Sequence, residues 1–378
     1  MAGPGSAPAA PSLAGFDPDA AAAAWLERLN PHLLQASVAL SQAAHLRWAV
    51  DLALSLMVCW LLARSGLLDR LQSALERERP RPWLVSAACA ALLAAVLTVA
   101  GGLLETSPPL LLQMLGVNVL AAVLLVPLLL ALVRRSPGWW WVSSGALAAL
   151  LIFAAVWLPY ALASGPAALP RAPEGPARAG LVQLIHEAHL PAQEVYVSPS
   201  AQVDADVTGV AGRARVVVTR GMLQTASPAE MRASVGHLMG HFAHMDQLGL
   251  GVLLALLTLV GLWLSSALFR PAAKLMGAGA SASPADPAAL PVLAALLIAW
   301  MALTLPVRNG YVRAINVGAD QYSLEHAHEP DGLALSLVKA WNGDDPDPPA
   351  LEQVLFYDHP PLKDRLRHAM AWKAAHAR

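Results

Sequence analysis

Long apolar runs alternate with polar intervals along this chain, and the runs have the length of membrane-crossing helices. Trp83–Leu104, Thr106–Val133 and Trp139–Leu162 carry no Asp, Glu, Lys or Arg, and neither do Gln247–Phe269 and Ala288–Val307 further on. Each supplies the about 20 helical residues that cross a hydrocarbon core of roughly 30 Å. Trp48–Ala63 is shorter and carries Asp51, but the uncharged Ser65–Leu68 prolongs it. The long stretch before it argues against a signal-peptide core. The pattern predicts an α-helical multi-pass membrane protein of six spans.

The polar intervals are of several kinds. Met1–Ser12 is rich in Pro, Ala and Gly and reads as disordered. Phe16-Asp17-Pro18 reads as a helix start, with an Asp cap and Pro in the first turn. Ala163–Gly180 is a Pro/Gly/Ala linker. Leu181–Asp246 and the stretch from Arg308 onward read as a soluble α+β module that two spans interrupt. Its strand candidates are Glu194–Val197 and Arg215–Thr219, where β-branched residues follow one another. The expected layout is therefore a tail and amphipathic helix over 1–45 and four spans over 46–164. The first part of the module follows over 165–246, two spans over 247–307, and the second part over 308–378.

Composition agrees with the pattern: 56% of the 378 residues are hydrophobic and 13% charged, against roughly 25% charged for a soluble domain. Lys+Arg 25 against Asp+Glu 26 leaves a net charge of -1, so no global field favours nucleic acid. No Gly-rich phosphate loop points to a nucleotide. Cys59 and Cys89 lie in apolar runs, which excludes a disulfide framework and a thiolate metal site. Cations follow the first span (Arg64, Arg70, Arg77, Arg79, Arg81), the third (Arg134, Arg135) and the fifth (Arg270, Lys274), whereas the second loop has only Glu105. By the positive-inside rule this alternation leans the N-terminus and both polar segments to the non-cytoplasmic side of an inner membrane. Trp139, Trp140 and Trp141 read as an interfacial anchor, and Asp51 as an interfacial residue near a helix end.

Candidate chemistry gathers in the polar module. Ser227-Pro228-Ala229-Glu230 is a capping box with Pro at the first helical position. The helix it opens carries His237, Leu238, His241, His244 and Asp246, and its pattern runs straight into the fifth span. His237 and His241 are four apart, so their imidazoles share one face, as two ligands of one metal require. His244 is about 10.5 Å along the axis from His237, too far to join them, and Asp246 is further still. His186-Glu187-Ala188-His189, His326 with His328 beside Glu329, and Asp344-Asp345-Pro346-Asp347 read as solvated surface.

The stretch VVVTRGMLQTASPAEMRASVGHLMGHFAHMD resembles the core of the membrane zinc metallopeptidases of the CAAX prenyl protease type I and HtpX-like family. NGYVRAINVGAD (Asn309–Asp320), FYDHPPLKDRLRHAMAWKA (Phe356–Ala374) and DADVTG (Asp204–Gly209) are similar to three further motifs of that family in the same order. The resemblance implies a zincin-like module, zinc as cofactor, and proteolysis of membrane or peptide substrates. His237 and His241 match its zinc ligands. Leu238 stands where the family has its general-base glutamate, and Asn316 where it has the third ligand, also a glutamate. Asp320 matches the acid that supports a ligand histidine, while His359 and Arg365 match residues on the substrate side of the cleft. Asp204 and Gly209 bound the edge strand beside which an extended substrate lies.

A leucine takes no proton from water, and a general base contributes typically 10²–10⁴-fold. An amide is a neutral substitute for a carboxylate beside a dication. The expectation is a pseudopeptidase, with zinc weakly held or absent, that binds or regulates a membrane protein or extended polypeptide. The alternative is an active metalloendopeptidase that recruits Glu187 or His359. A transporter or channel, supported only by the spans, ranks last.

Overall fold

The computed structural model describes residues 15–77, 81–102, 107–162, 169–209, 214–279 and 282–376. The readings made above for Met1–Ser12, Arg79 and Glu105, and for the start of the linker at 163–168, lie outside them. Helix α1 (Pro18–Leu26) starts at the Asp17 cap, whose carboxylate accepts from the Asp19 amide. Then come α2 (Pro31–Ser65), α3 (Leu67–Leu75), α4 (Pro82–Gly102), α5 (Pro108–Arg135) and α6 (Trp140–Leu162). The polar module begins with α7 (Pro176–Glu187), β1 (Val195–Ser198), β2 (Ala205–Thr208), β3 (Arg215–Thr219), α8 (Arg220–Thr225) and α9 (Pro228–Ala243). It resumes beyond α10 (Asp246–Met276) and α11 (Leu290–Leu303), with α12 (Leu305–Ala327), α13 (Pro330–Ala340), α14 (Ala350–Phe356) and α15 (Leu362–His376).

By length and composition α2, α4, α5, α6 and α10 can each cross a membrane. The sixth expected span differs. Thr304 ends α11 after 14 residues, too short to cross alone at 1.5 Å per residue. The segments Pro287–Leu303 and Leu305–Ala327 make a span only as a pair bent by 44°. The protein is thus a helical membrane protein of five to six spans.

The chain divides into two units. One comprises residues 43–155 and 251–306. Its interior is built on Cys59, Val133, Trp140, Phe269 and Val292, and on a second cluster of Leu68, Val85, Cys89 and Leu130. Three expectations are corrected here. Trp140 is buried while Trp139 is 73% exposed, so the tryptophan triplet is not a uniform interfacial anchor: helix α6 turns its first residue, Trp140, inward. Asp51 lies in the middle of a 35-residue helix rather than near its end, because α2 begins at Pro31. That helix stops at Ser65, with Gly66 at φ 63, so Leu67 and Leu68 belong to α3.

The other unit comprises the described parts of 1–42, 156–250 and 307–378. Its sheet has the order β1-β3-β2, with β1 parallel and β2 antiparallel to β3. β2 is therefore an edge strand, as the DADVTG segment implied. Thr219 locks the sheet to α8: its hydroxyl accepts from the Asp204 and Met222 amides, both at 3.1 Å. Helix α9 lies between two apolar clusters. Val235 and Met239 join Leu184, Ile185, Val195, Val216 and Val218, while Ala233 joins Trp25, Leu324, Leu333 and Leu366.

The capping box at Ser227 and Glu230 forms as expected, and the buried Glu230 also receives Lys339 Nζ at 2.7 Å. The far end of α9 does not run on into α10. Ala243 is its last residue, Met245 has φ 55, and α10 starts at Asp246.

Helices α9 and α12 meet through glycine. A Cβ on Gly240 would stand 2.9 Å from Ala319 Cα, and one on Gly236 would stand 3.2 Å from Ser323 Cα. Ser323 Oγ donates to the Ala233 carbonyl at 2.7 Å across the same seam. Overpacking of this kind costs about 1–3 kcal/mol. Gly240→Ala is expected to lower thermal stability in detergent by that amount, whereas Gly310→Ala, at an uncrowded position of α12, leaves the melting curve near that of the parent.

Candidate functional site

The close α9–α12 seam brings two sets of polar residues together. On α9, His237 and His241 are one turn apart. On α12, Asn309, Arg313, Asn316 and Asp320 recur at spacings of four and three, so they share a face. Asn309, Asn316 and Asp320 are buried.

Each histidine is oriented by a carboxylate. His237 Nδ1 lies 2.8 Å from Asp320 Oδ1, and His241 Nδ1 lies 2.8 Å from Asp246 Oδ2. An ionised carboxylate only accepts, so a proton on each Nδ1 completes these two bonds and leaves the Nε2 atoms facing each other. Those two Nε2 atoms are 3.1 Å apart. Burial pushes the His237 imidazole below its ordinary pKa; the hydrogen bond it donates to Asp320 opposes this, and the nearby Arg365 and His241 add to it. The net direction keeps the ring neutral, the form that ligates metal.

Asp320 is held from its other side. Arg365 Nε donates to Oδ2 and Nη2 to Oδ1, both at 2.7 Å. The expectation that Arg365 faces substrate is corrected by this: its guanidinium forks onto Asp320, and only 15% of its side chain is exposed. The reading of Asp246 also changes. A continuous helix would carry it away from His241, whereas the break at Met245 folds it back. No local sequence signal marks that break beyond the short polar step before the apolar run.

The remaining candidates are scattered. Leu238 is half-buried and packs on the apolar core beside the sheet. Asn316 Nδ2 donates to the Val312 carbonyl at 2.9 Å, which leaves its Oδ1 as the one atom able to face a cation. Asn309 and Arg313, unassigned by sequence reasoning, anchor the C-terminal end of α14. Asn309 Nδ2 donates to the Leu355 carbonyl and Arg313 Nη1 to the Gln353 carbonyl, each at 2.7 Å, and Arg313 also to that of Tyr357. His359 is exposed, with Nδ1 2.9 Å from Asp358 Oδ1.

Glu187 accepts from Gln183 and lies 3.7 Å from Arg232. His186, Glu187 and His189 are exposed as expected. His326 is not a loop residue: α12 runs to Ala327, and the His326 ring stacks on Tyr322 with centroids 4.0 Å apart. Gly209 (φ 120) ends β2 and helps line a cavity of about 490 Å³ with Trp157, Phe242, Met245, Leu248 and Tyr322.

As a zinc site this donor set fits in part. Two Nε2 atoms bound at 2.0–2.1 Å with tetrahedral angles stand about 3.4 Å apart, close to the observed 3.1 Å. Catalytic zinc takes three protein ligands, and among the described residues no third His, Cys, Asp or Glu groups with this pair. The neutral Asn316 oxygen is a weaker donor to a dication than an anionic ligand.

Removing one partner of a buried ion pair costs about 3–5 kcal/mol, because the other charge is left uncompensated. Arg365→Ala is expected to lower stability by that amount in thermal or denaturant unfolding. Arg367→Ala, whose partner Asp19 is exposed like itself, should cost well under 1 kcal/mol.

The comparisons with known proteins converge on one family. A sequence model described as "Peptidase family M48" matches residues 176–373. The chain is 27% identical over 197 residues to the uncharacterized metalloprotease YhfN of Bacillus subtilis, covering 50% of this chain and 46% of that protein. It is 26% identical over 206 residues to a protease HtpX homologue of Syntrophobacter fumaroxidans, covering 49% of this chain and 72% of the relative. The chain thus spans about half the length of the first relative. The crystal structure of S. mikatae Ste24p shares the fold, with a TM-score of 0.55 at 17% identity over 75% of this chain and 73% of that one. With the family's sequence pattern running through more than half of its residues, and the paired histidines lying within that match, this chain belongs to peptidase family M48.

Proposed function

We propose that this membrane protein is a catalytically silent member of its family that captures an extended polypeptide. The observation that carries this reading is the occupancy of the two positions where the family has functional glutamates. Leu238 has no lone pair and packs on the core, and Asn316 is neutral with its amide hydrogen bonded within its own helix. Zinc, when bound, supplies a Lewis acid that polarises a carbonyl; here no side chain takes up the accompanying proton.

Capture needs neither glutamate. Among the described residues β2 pairs only with β3 in the sheet, and an extended chain adds to such an edge through main-chain hydrogen bonds. The cavity lined by Gly209, Phe242 and Tyr322 at the end of β2 offers room for one large apolar side chain of that ligand. The cation pattern of the loops favours a bacterial inner membrane location with the polar module on the non-cytoplasmic side. The partner is then a membrane or translocated polypeptide.

A second reading, a working zinc endopeptidase, is favoured by one feature: both histidines retain carboxylates at Nδ1 and face each other through Nε2. Zinc retained through a weakened two-histidine set is compatible with either reading, so turnover decides between them. Purified full chain supplied with zinc is expected to hydrolyse unfolded protein no faster than His237→Ala. Leu238→Glu combined with Asn316→Glu is expected to hold one zinc per chain and to raise cleavage by about 10²–10⁴-fold, neither single change sufficing. Wild-type cleavage abolished by His237→Ala would overturn the silent-member reading.

A further inference from the structure

In the unit formed by residues 43–155 and 251–306, a cavity of about 1040 Å³ opens at the ends of α5, α6 and α10 that carry the basic residues. Its wall changes character from one side to the other. Trp140, Phe269 and Ala273 supply an apolar surface, while Ser266, Arg270, Lys274 and Ser283 supply a polar one. Trp140 and Phe269 are themselves buried, whereas Arg270 and Lys274 are exposed. The two cations are four residues apart on α10, so both head groups reach the same opening.

Among the described residues no carboxylate lines this space. The neighbouring Arg134 is engaged elsewhere: Nε donates to the Ala285 carbonyl at 3.2 Å and Nη2 to Ser86 Oγ at 3.0 Å. The first of these bonds holds Ala285, next to the wall residues Ser283 and Pro284.

We infer that this cavity binds an anionic phospholipid of the surrounding bilayer. Arg270 and Lys274 hold the headgroup phosphate, Ser266 and Ser283 offer hydroxyls to its oxygens, and Trp140 and Phe269 pack against the first acyl carbons. Three observations favour a lipid over a soluble anion. The cavity lies where spanning helices end, the height of a headgroup in the membrane. Half its wall is apolar, which a free phosphate does not satisfy. Basic pockets between spanning helices on the positively flanked side recognise anionic headgroups, each cation adding to the attraction. The site is independent of the histidine pair.

Native mass spectrometry of the full chain in neutral detergent, titrated with phosphatidylglycerol, phosphatidylcholine or inorganic phosphate, tests this. Phosphatidylglycerol is expected to bind in preference to phosphatidylcholine and to resist displacement by phosphate. Arg270→Gln with Lys274→Gln should weaken it about thirtyfold, while the same change at Arg77 and Arg81 leaves it unchanged. Ala267→Trp, which fills the cavity from an exposed position of α10 and keeps both charges, should weaken it as well. Should the double variant not fold, Ala267→Trp decides together with the charge-preserving pair Arg270→Lys and Lys274→Arg, which should still bind. Undiminished affinity in the double variant or in Ala267→Trp overturns the inference. So does an equal loss in the Arg77/Arg81 control, which marks diffuse surface charge, or displacement by inorganic phosphate, which marks a free-anion site.

Discussion

A buried carboxylate governs the polar unit. Asp320 sits on α12 with its side chain 3% exposed, and a charge in that position demands partners. It takes them from either side of itself in the sequence: His237 on α9 and Arg365 on α15. Three helices far apart in the chain are thereby fixed to one atom group, and the glycine seam at Gly236 and Gly240 sets how closely they approach. His241 extends the line through its Nε2 contact with His237, and Asp246 closes it at the start of α10. The geometry of the imidazole pair is therefore a consequence of how the unit is assembled.

That consequence gives the buried residues a part in assembly, whatever they do for ligation. Asp320 and Arg365 have a second role, since losing either leaves the other buried without compensation. His237 shares it in part, because it fills one of the positions around Asp320 Oδ1. Leu238 and Asn316 stand outside this network: one packs on the sheet-side core and the other bonds to its own helix.

What could be read from the chain follows the range of the interaction. Five of the six apolar runs, the Ser227–Glu230 capping box, the β-branched strands β1 and β3 and the i, i+4 histidine pair are local patterns, and each appears close to its expected place. Residues whose role depends on a distant partner were misread or unassigned. Arg365 meets Asp320 only because α15 lies against α12, and Asn309 and Arg313 meet carbonyls some forty residues away. Asp246 was dismissed on the assumption of a continuous helix, which a single positive φ at Met245 breaks. Trp140 and Asp51 were misplaced for a related reason: composition locates a span but not its rotation or its first residue.

Charge around the imidazoles gives the last step. Arg365 neutralises Asp320, and both rings are neutral when their Nε2 atoms are bare, so Asp246 is the one uncompensated anion in direct contact with the pair. A dication placed between the Nε2 atoms would leave a net positive charge in a partly buried site. With glutamates at 238 and 316, the same accounting would leave it negative, which favours holding the metal and stabilises an imidazolium or a protonated leaving group nearby. Leu238 and Asn316 together thus leave the local field more positive than two carboxylates at the same positions would. An electrostatic deficit of two charges at a low-dielectric site is not repaired by a distant acid such as the exposed Glu187, whose field at the pair is screened by water.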